Sequence, residues 1–356
     1  MVNEWILKLL LMPFALLYGL GVTIRNALFR LGVLRGSVFS LPVISVGNLT
    51  VGGTGKTPHT EYLIRLLHPF LHLAVLSRGY KRKTSGYLEV TTFHTATQVG
   101  DEPLQYKRKY PRVTVVVAES RSLAIPQALS THPETQVVLL DDGYQHREVV
   151  PGLNILLTEY NRLFTRDWFL PVGRLREWRS ESERADIIIV TKCPVVLSAE
   201  SREEITREVS GKFHPTVFFS RYMYGQPYRM YGAPDRLPLH PDLTVLLVVA
   251  IAGTEYLLEY VEAQCQEVHM LEFNDHHPFS DFDVSNIERH FNLLPETQNK
   301  IILTTEKDAM RLDEHRGQLL QLNLPIYILP VAVSFADDDG PRFDQTIKDW
   351  LLNFKH

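Results

Sequence analysis

The chain has 356 residues, of which 45% are hydrophobic and 22% are charged, and its formal net charge is −4. This length holds about two domains of roughly 150 residues, and the composition excludes a disordered protein. The mild acidity excludes a nucleic-acid binder, because binding to a phosphate backbone takes clustered positive charge. The two cysteines, Cys193 and Cys265, are too few for a disulfide framework or a cysteine-based metal site.

An apolar segment near the N-terminus differs from the overall composition of the chain. Residues 5–22 contain one charged side chain, Lys8, and the basic residues that follow are Arg25, Arg30 and Arg35. A spanning helix takes about 20 apolar residues, whereas this run is shorter and contains Pro13. Its flanks lack the basic start and small-residue cleavage site of a signal peptide. We therefore expect an interfacial helix within residues 1–35 that binds an anionic membrane surface, with a buried core helix as the alternative.

Short apolar strands then alternate with helical or loop segments. We predict strands at residues 41–46, 73–76, 113–118, 137–140, 154–158 and 187–191. This spacing indicates an α/β domain with a mostly parallel sheet covered by helices, at residues 36–213. The β-branched and aromatic residues that follow predict a two-stranded linker at 214–232.

A second, smaller α/β domain is predicted at residues 233–356. Its strands are expected at 244–250 and 300–304, with a helix near 255–265 between them. The segment 326–331 is predicted to return to the linker.

A glycine-rich loop follows the first predicted strand and opens a helix. We expect nucleotide phosphates to be bound by Thr50, Val51, Gly52, Gly53, Thr54, Gly55, Lys56 and Thr57. Glycines let backbone N–H groups approach phosphate oxygens, the lysine reaches the β- and γ-phosphates, and the final threonine binds Mg²⁺. Thr50 stands where the usual motif begins with glycine, so the backbone there is expected to follow a different path.

Two carboxylates follow the strand predicted at 137–140. In phosphate-loop enzymes this edge of the sheet lies beside the magnesium ion. We therefore expect Asp141 or Asp142 to hold Mg²⁺ directly or through water.

Seven motifs in chain order resemble those of the tetraacyldisaccharide 4'-kinase family, the inner-membrane lipid A kinases of Gram-negative bacteria. They lie at residues 46–48 with 52–58, and at 77–80, 100–103, 141–146, 175–177, 275–277 and 304–308. The resemblance implies transfer of the γ-phosphate of ATP to the 4'-hydroxyl of an acylated glucosamine disaccharide 1-phosphate. It also implies a phosphate-loop domain, a smaller C-terminal domain and a membrane-associated N-terminal helix at the cytoplasmic face, peripheral or monotopic. No protein partner is predicted.

The resemblance also implies catalytic roles. Asp101 would take the proton of the attacking hydroxyl, and His276 would orient it, with His277 as the neighbouring alternative. These residues lie in different predicted domains, so catalysis would depend on domain closure. Lys56 would be the third catalytic residue, and the resemblance adds two metal-shell carboxylates, Glu102 and Glu177.

Cations are expected around the lipid headgroup, because the substrate already carries a 1-phosphate. The substrate residues implied by the resemblance are Ser77, Arg78, Tyr80, Arg121, His146 and Arg176. One departure from the family occurs at residues 250–255, where a glycine-rich turn ending in proline is replaced by Ala-Ile-Ala-Gly-Thr-Glu. It leaves the contact of this loop with nucleotide open.

Two other functions use the same phosphate loop. A membrane-anchored switch or partition-type ATPase is the main alternative, but Thr50 and Val51 stand where a partition-type loop carries a second lysine. A soluble small-molecule kinase would leave the apolar N-terminal segment unexplained.

Overall fold

A computed structural model describes residues 4–232, 235–295 and 299–355. Its helices are α1 (Glu4–Arg30), α2 (Lys56–Leu67), α3 (Ala96–Val99), α4 (Asp101–Lys109), α5 (Arg121–Thr131), α6 (Ala199–Ser210), α7 (Glu255–Glu262), α8 (Asp281–Leu293), α9 (Glu306–Leu312), α10 (Arg316–Leu322) and α11 (Asp339–Leu352). Its strands are β1 (Val43–Asn48), β2 (Leu73–Ser77), β3 (Leu88–Glu89), β4 (Thr114–Val117), β5 (Val137–Asp141), β6 (Leu153–Glu159), β7 (Ile187–Thr191), β8 (Thr216–Tyr224), β9 (Tyr228–Arg229), β10 (Thr244–Val249), β11 (Glu267–Glu272), β12 (Lys300–Thr305), β13 (Ile326–Leu329) and β14 (Val331–Phe335).

The described chain forms two compact units, each built from more than one stretch. The first contains the residues up to 78, residues 118–222 and those from 333 onward, and the second contains 79–117 and 223–332. The four contiguous ranges predicted from the sequence do not coincide with these units. Residues 79–117 belong to the second unit because α4 packs on α9. The C-terminal helix belongs to the first unit, where Phe343 packs against Phe218 with ring centroids 5.3 Å apart.

The strands of the first unit lie in the order β14-β8-β7-β6-β1-β5-β2. The pairs from β8 to β2 are parallel, as the spacing of the apolar segments predicts. The central strands are buried along nearly their whole length, as in sheets covered on both faces. Val46 pairs with Asp141, so the ends of β1 and β5 lie side by side. This register brings the glycine-rich loop and the predicted acidic pair to one edge.

The second unit contains a five-stranded sheet in the order β11-β10-β12-β13-β9. Its first four strands are parallel, and β9 is antiparallel to β13. The loop after β11 carries His276, and α9 begins directly after β12. The segment predicted at 113–118 forms β4 of this unit and pairs antiparallel with β3. The two predicted linker strands are present as β8 and β9, but each belongs to a different sheet.

Helix α1 is longer than the apolar run that predicts it. It continues through Pro13 to Arg30, and Gly32, with a φ of +74°, follows its last turn. The large exposed apolar side chains of α1 are Ile6, Leu7, Leu9, Leu10, Phe14, Leu16, Leu17, Tyr18, Leu20 and Ile24. Among the described residues, Ile6–Arg30 is long and apolar enough to cross a membrane, and 11% of its most apolar window is buried. The helix is therefore longer than the apolar run, and its length and composition are sufficient for a span, whereas most of its apolar window is exposed, unlike that of a core helix.

The buried face of α1 docks on the segment 175–184. The Tyr18 hydroxyl donates to the carbonyl of Arg176 over 3.1 Å. The Trp178 indole donates to the Thr23 hydroxyl over 2.7 Å. The helix is therefore held by directional contacts as well as by apolar packing.

Candidate active site

The glycine-rich loop after β1 has the form of a phosphate-binding loop. Gly55 has a φ of +90°, and a Cβ there would lie 2.9 Å from the Tyr222 hydroxyl, so this position requires glycine. Asn48 Nδ2 donates to Thr54 Oγ1 over 2.8 Å, and Lys56 Nζ donates to Asn48 Oδ1 over 3.3 Å. The lysine ammonium is therefore held at the start of α2, beside the end of β1.

Thr50 lies in an extended part of the loop. It forms an isolated antiparallel bridge with Leu175. Val51 N donates to Arg174 O, and Arg176 N donates to Leu49 O, each over 2.8 Å. Extended backbone is open to any residue, which explains why threonine replaces glycine here.

The two acids at the end of β5, Asp141 in the strand and Asp142 after it, differ in their surroundings. Asp141 is 1% exposed and accepts from the Thr60 hydroxyl over 3.4 Å. Asp142 has a φ of +50° and lies 3.6 Å from Lys56 Nζ. Arg176 donates to both Asp142 oxygens, over 3.1 and 3.3 Å. Burial acts to raise the pKa of Asp142, but Lys56 and Arg176 outweigh it and hold that pKa below its ordinary value.

Arg121, at the start of α5, is a buried cation with unused donors. It is 1% exposed, and Nη1 lies 3.1 Å from His146 Nε2. Within the described residues its Nε and Nη2 have no hydrogen-bond partner. Burial and Arg121 lower the pKa of His146 to about 4, so this imidazole is neutral at pH 7. Arg78 adds to the lowering of the pKa of Arg121 and of His146.

Asp101 and His276 are in contact, and both belong to the second unit. Asp101 is 4% exposed, and its Oδ2 lies 2.9 Å from His276 Nδ1. Burial acts to raise the pKa of Asp101, but Lys307, His276 and Arg311 outweigh it, so the carboxyl group stays ionised. The sequence placed the two residues in separate domains because it did not predict that α4 packs on α9.

His276 is held in an unusual backbone conformation. Its φ is +55°, and Lys81 Nζ donates to its carbonyl over 3.3 Å and to that of Asp275 over 3.2 Å. The Tyr80 ring packs against the imidazole with centroids 4.8 Å apart. His277 instead lies 3.1 Å from Asp283. The structure therefore pairs His276, and not its neighbour, with Asp101.

Glu177 has a different environment from the one predicted. It is fully buried, and its two oxygens are bound by Arg25 of α1 and by Arg184. Arg30 pairs in the same way with buried Glu181, over 2.8 Å. These contacts do not support the prediction that Glu177 belongs to the metal shell. They also correct the expectation that both helix arginines face anionic lipid, because each is bound to a carboxylate of this chain.

The other predicted residues lie as follows. Ser77 ends β2 and is buried, whereas Arg78 and Tyr80 are exposed. Glu102 pairs with Lys307 over 3.0 Å. Sequence reasoning missed the roles of Asn48 and Lys307, although both lie in motifs that carry the family resemblance.

A parallel α/β sheet with this loop, lysine and acidic pair defines a phosphate-loop nucleotide-binding protein. The chain belongs to the tetraacyldisaccharide-1-P 4'-kinase family, which it matches over residues 7–352. A protein of Bacteroides thetaiotaomicron named tetraacyldisaccharide 4'-kinase is 44% identical, over 97% of this chain and 92% of its own. A protein of that name from Flavobacterium johnsoniae is 42% identical, over 97% of this chain and 98% of its own. The crystal structure of the Aquifex aeolicus family protein LpxK in complex with ATP is similar, with a TM-score of 0.71 and 28% identity, over 97% of this chain and 99% of that one.

Proposed function

We propose that this protein phosphorylates the 4'-hydroxyl of a tetraacyldisaccharide 1-phosphate with ATP, a step of lipid A biosynthesis. Family membership and the ATP complex of the similar structure support the activity and the donor. The observation that carries the assignment is the buried Asp101–His276 pair, at 2.9 Å. The phosphate loop alone is shared with switch ATPases, whereas a buried carboxylate held by an imidazole suits the orientation of a hydroxyl acceptor and the removal of its proton.

The first unit would bind the nucleotide. Backbone N–H groups of residues 50–57 would bind the phosphates, and Lys56 would contact the oxygens whose charge grows during transfer. The Arg176 guanidinium donates to the side chains of Asn48 and Asp142. It would thereby hold Asp142 in place beside the loop. This function explains why Lys56 is held at the loop between Asn48 and Asp142.

The oxygen donors of the first unit fit Mg²⁺. Thr57 is the second residue of α2, Asp141 ends β5 and Asp142 follows it, so hydroxyl and carboxylate oxygens lie at one edge of the sheet. The described residues contain no cluster of three or more His, Cys, Asp or Glu for a metal. Magnesium bound with a nucleotide takes only one or two protein carboxylates besides phosphate and water, and it neutralises phosphate charge. We assign Thr57 and the two aspartates to it and leave out Glu102 and Glu177.

Asp101 would take the hydroxyl proton. An ionised carboxylate with a lowered pKa is a weak base, but phosphoryl transfer through a loose transition state asks for little proton removal before the bond to phosphorus forms. His276 donates to Oδ2 and would fix the orientation of the carboxylate. The contacts of Tyr80 and Lys81 would keep His276 in place.

Arg121 would contact a phosphate of the nucleotide or lipid. A buried guanidinium with unused N–H groups suits an anion, because an arginine carries donors only. Arg78 would act with it, and His146 would hold Nη1 in place. Ser77, Tyr80 and Arg176 complete the predicted contacts with substrate.

Helix α1 would bring the enzyme to its lipid at the cytoplasmic face of the inner membrane. Its exposed face is apolar over several turns, which suits the boundary between headgroups and acyl chains. Because Arg25 and Arg30 bind buried carboxylates, attraction to anionic lipid contributes less than the sequence suggests.

The direct test supplies ATP, Mg²⁺ and tetraacyldisaccharide 1-phosphate in detergent. We expect a second phosphate on the distal sugar and loss of most turnover in Asp101→Ala. If the wild-type protein binds ATP but transfers phosphate to the lipid no faster than Asp101→Ala does, the kinase assignment is contradicted and a switch ATPase is favoured.

A further inference from the structure

Lys307 has no role in the function proposed above, yet it lies against the catalytic pair. It is the second residue of α9, directly after β12. Its ammonium is 3.1 Å from His276 Nε2 and 3.0 Å from Glu102 Oε1. The imidazole therefore lies between an ammonium on one nitrogen and the Asp101 carboxylate on the other.

The neighbours of this imidazole determine which of its two nitrogens carries a proton, because one neighbour can only donate a hydrogen bond and the other can only accept one. An ammonium has three donors and no acceptor, so Nε2 must accept from Lys307. An ionised carboxylate only accepts, so Nδ1 must donate to Asp101. Both contacts are satisfied by one form of the ring, the neutral tautomer with its proton on Nδ1. A ring protonated on both nitrogens would point an N–H at the ammonium.

We propose that Lys307 is a positioning residue for the Asp101–His276 pair, which holds Nε2 of His276 as an acceptor while Nδ1–H donates to Asp101. Its link to turnover rests on the proposed kinase function. Lys307 acts through His276 and does not touch substrate.

The arrangement determines which oxygen of Asp101 takes the proton. Oδ2 accepts from His276 and also faces Arg311 Nε at 3.5 Å. Oδ1 accepts from the backbone N–H of Glu102 over 2.9 Å. With Oδ2 held by two side chains, the second lone pair of Oδ1 is the one that the substrate hydroxyl would meet.

A neighbouring ion pair provides a matched control. Lys109 of α4 binds Glu306 of α9, with Nζ 2.9 and 3.1 Å from the two carboxylate oxygens. It joins the same two helices as the Lys307–Glu102 pair, but through a different carboxylate. If Lys307 only tied α4 to α9, removing either lysine would have the same effect.

The experiment uses full-length protein in detergent, labelled with ¹⁵N in the histidine rings, with His276→Ala to assign the signal. We expect wild-type His276 to show the neutral Nδ1–H pattern near pH 7. Lys307→Met should convert it to the doubly protonated pattern, because Nδ1 still donates to Asp101 while Nε2 no longer faces an ammonium. Lys307→Arg and Lys109→Met should keep the wild-type pattern. General-base catalysis contributes about 10²–10⁴-fold, so Lys307→Met should lower kcat at least about tenfold and leave KM for ATP nearly unchanged.

A wild-type signal of the Nε2–H tautomer, or of the imidazolium, would overturn the proposal. So would a Lys307→Met protein whose His276 signal and kcat match those of Lys109→Met. If Lys307→Met fails to fold, the wild-type and Lys307→Arg spectra still show whether His276 carries its proton on Nδ1 and leaves Nε2 as an acceptor. Absence of lipid phosphorylation by the wild type would refute the proposed function. The spectra would still show whether Lys307 keeps Nε2 of His276 unprotonated.

Discussion

Arg25 of α1 and Glu177 form an ion pair in which the carboxylate is fully buried and also bound by Arg184. A buried carboxylate that loses a cationic partner keeps its desolvation penalty. This pair is therefore a specific attachment point for the N-terminal helix.

Arg25→Ala should destabilise the protein by about 1–2 kcal/mol, less than a fully buried pair, because Arg25 is 39% exposed and Arg184 remains. Denaturant unfolding in detergent micelles measures the change. The control is Arg207→Ala, since Arg207 and its partner Glu203 are 74% and 75% exposed. That variant should change the free energy of unfolding by less than about 0.5 kcal/mol. Equal effects of both substitutions would show that Arg25 is not a specific anchor.

His59 makes stability depend on pH. Its Nδ1 lies 2.7 Å from the Gly55 carbonyl and its Nε2 lies 2.9 Å from Ser220 Oγ. Burial lowers the pKa of His59 from 6.5 to about 4, against the opposing effect of the Gly55 bond. Between these values the unfolded chain binds a proton that the folded protein does not, so stability falls as the pH drops from 6.5 towards 4.

We expect the free energy of unfolding to fall between pH 7 and pH 5 by about 2 kcal/mol more in wild type than in His59→Gln. Other groups, including His146, contribute equally to both proteins and cancel in the comparison. Parallel pH profiles for the two proteins would mean that His59 is not held neutral.

The two unusual positions of the phosphate loop should respond differently to substitution. Gly55→Ala forces a side chain into left-handed backbone near Tyr222, which costs about 1–2 kcal/mol and displaces the loop. Thr50→Gly only adds freedom to an extended segment and costs about 0.5–1 kcal/mol. Steady-state kinetics should therefore show a larger rise in the KM for ATP in Gly55→Ala. The reverse order would contradict the roles assigned to the two positions.

Membrane binding should depend on the exposed leucines of α1. Leu9, Leu10 and Leu17 are 74%, 63% and 67% exposed, and each would contribute about 1.5–3 kcal/mol when buried in lipid. Changing all three to Gln should move the protein from the membrane fraction to the soluble fraction. Leu352→Gln is the control, because this leucine is 82% exposed but lies on α11. A folded triple variant that still sediments with membranes would exclude α1 as the main anchor.

Local patterns predicted the parallel sheet and the phosphate loop well, because buried strands and glycine turns are set by neighbouring residues. The end of α1 was not predicted, since the helix continues to Arg30, where arginines meet carboxylates about 150 positions away. The same holds for Glu177, whose motif suggested a metal but whose burial depends on Arg25 and Arg184. Long-range ion pairs of this kind leave no periodic signal in a single sequence.

The second unit shows the same limit. Asp101 and His276 were identified through the family motifs, but their assignment to separate domains followed chain order. Residues 79–117 join the later part of the chain because α4 packs on α9, which composition does not reveal. Lys307 was passed over because a lysine near a helix start usually faces solvent, and only the distance to His276 gives it a role.

The segment 174–178 touches the phosphate loop on one side and α1 on the other. Leu175 bridges to Thr50, while Trp178 bonds to Thr23. A shortened, water-soluble version without the helix would thus be a different enzyme, with one face of this segment bare and with Glu177 and Glu181 each missing one arginine partner. Crystallisation or assay in the absence of detergent is better pursued by exchanging the lipid-facing leucines than by cutting the helix away.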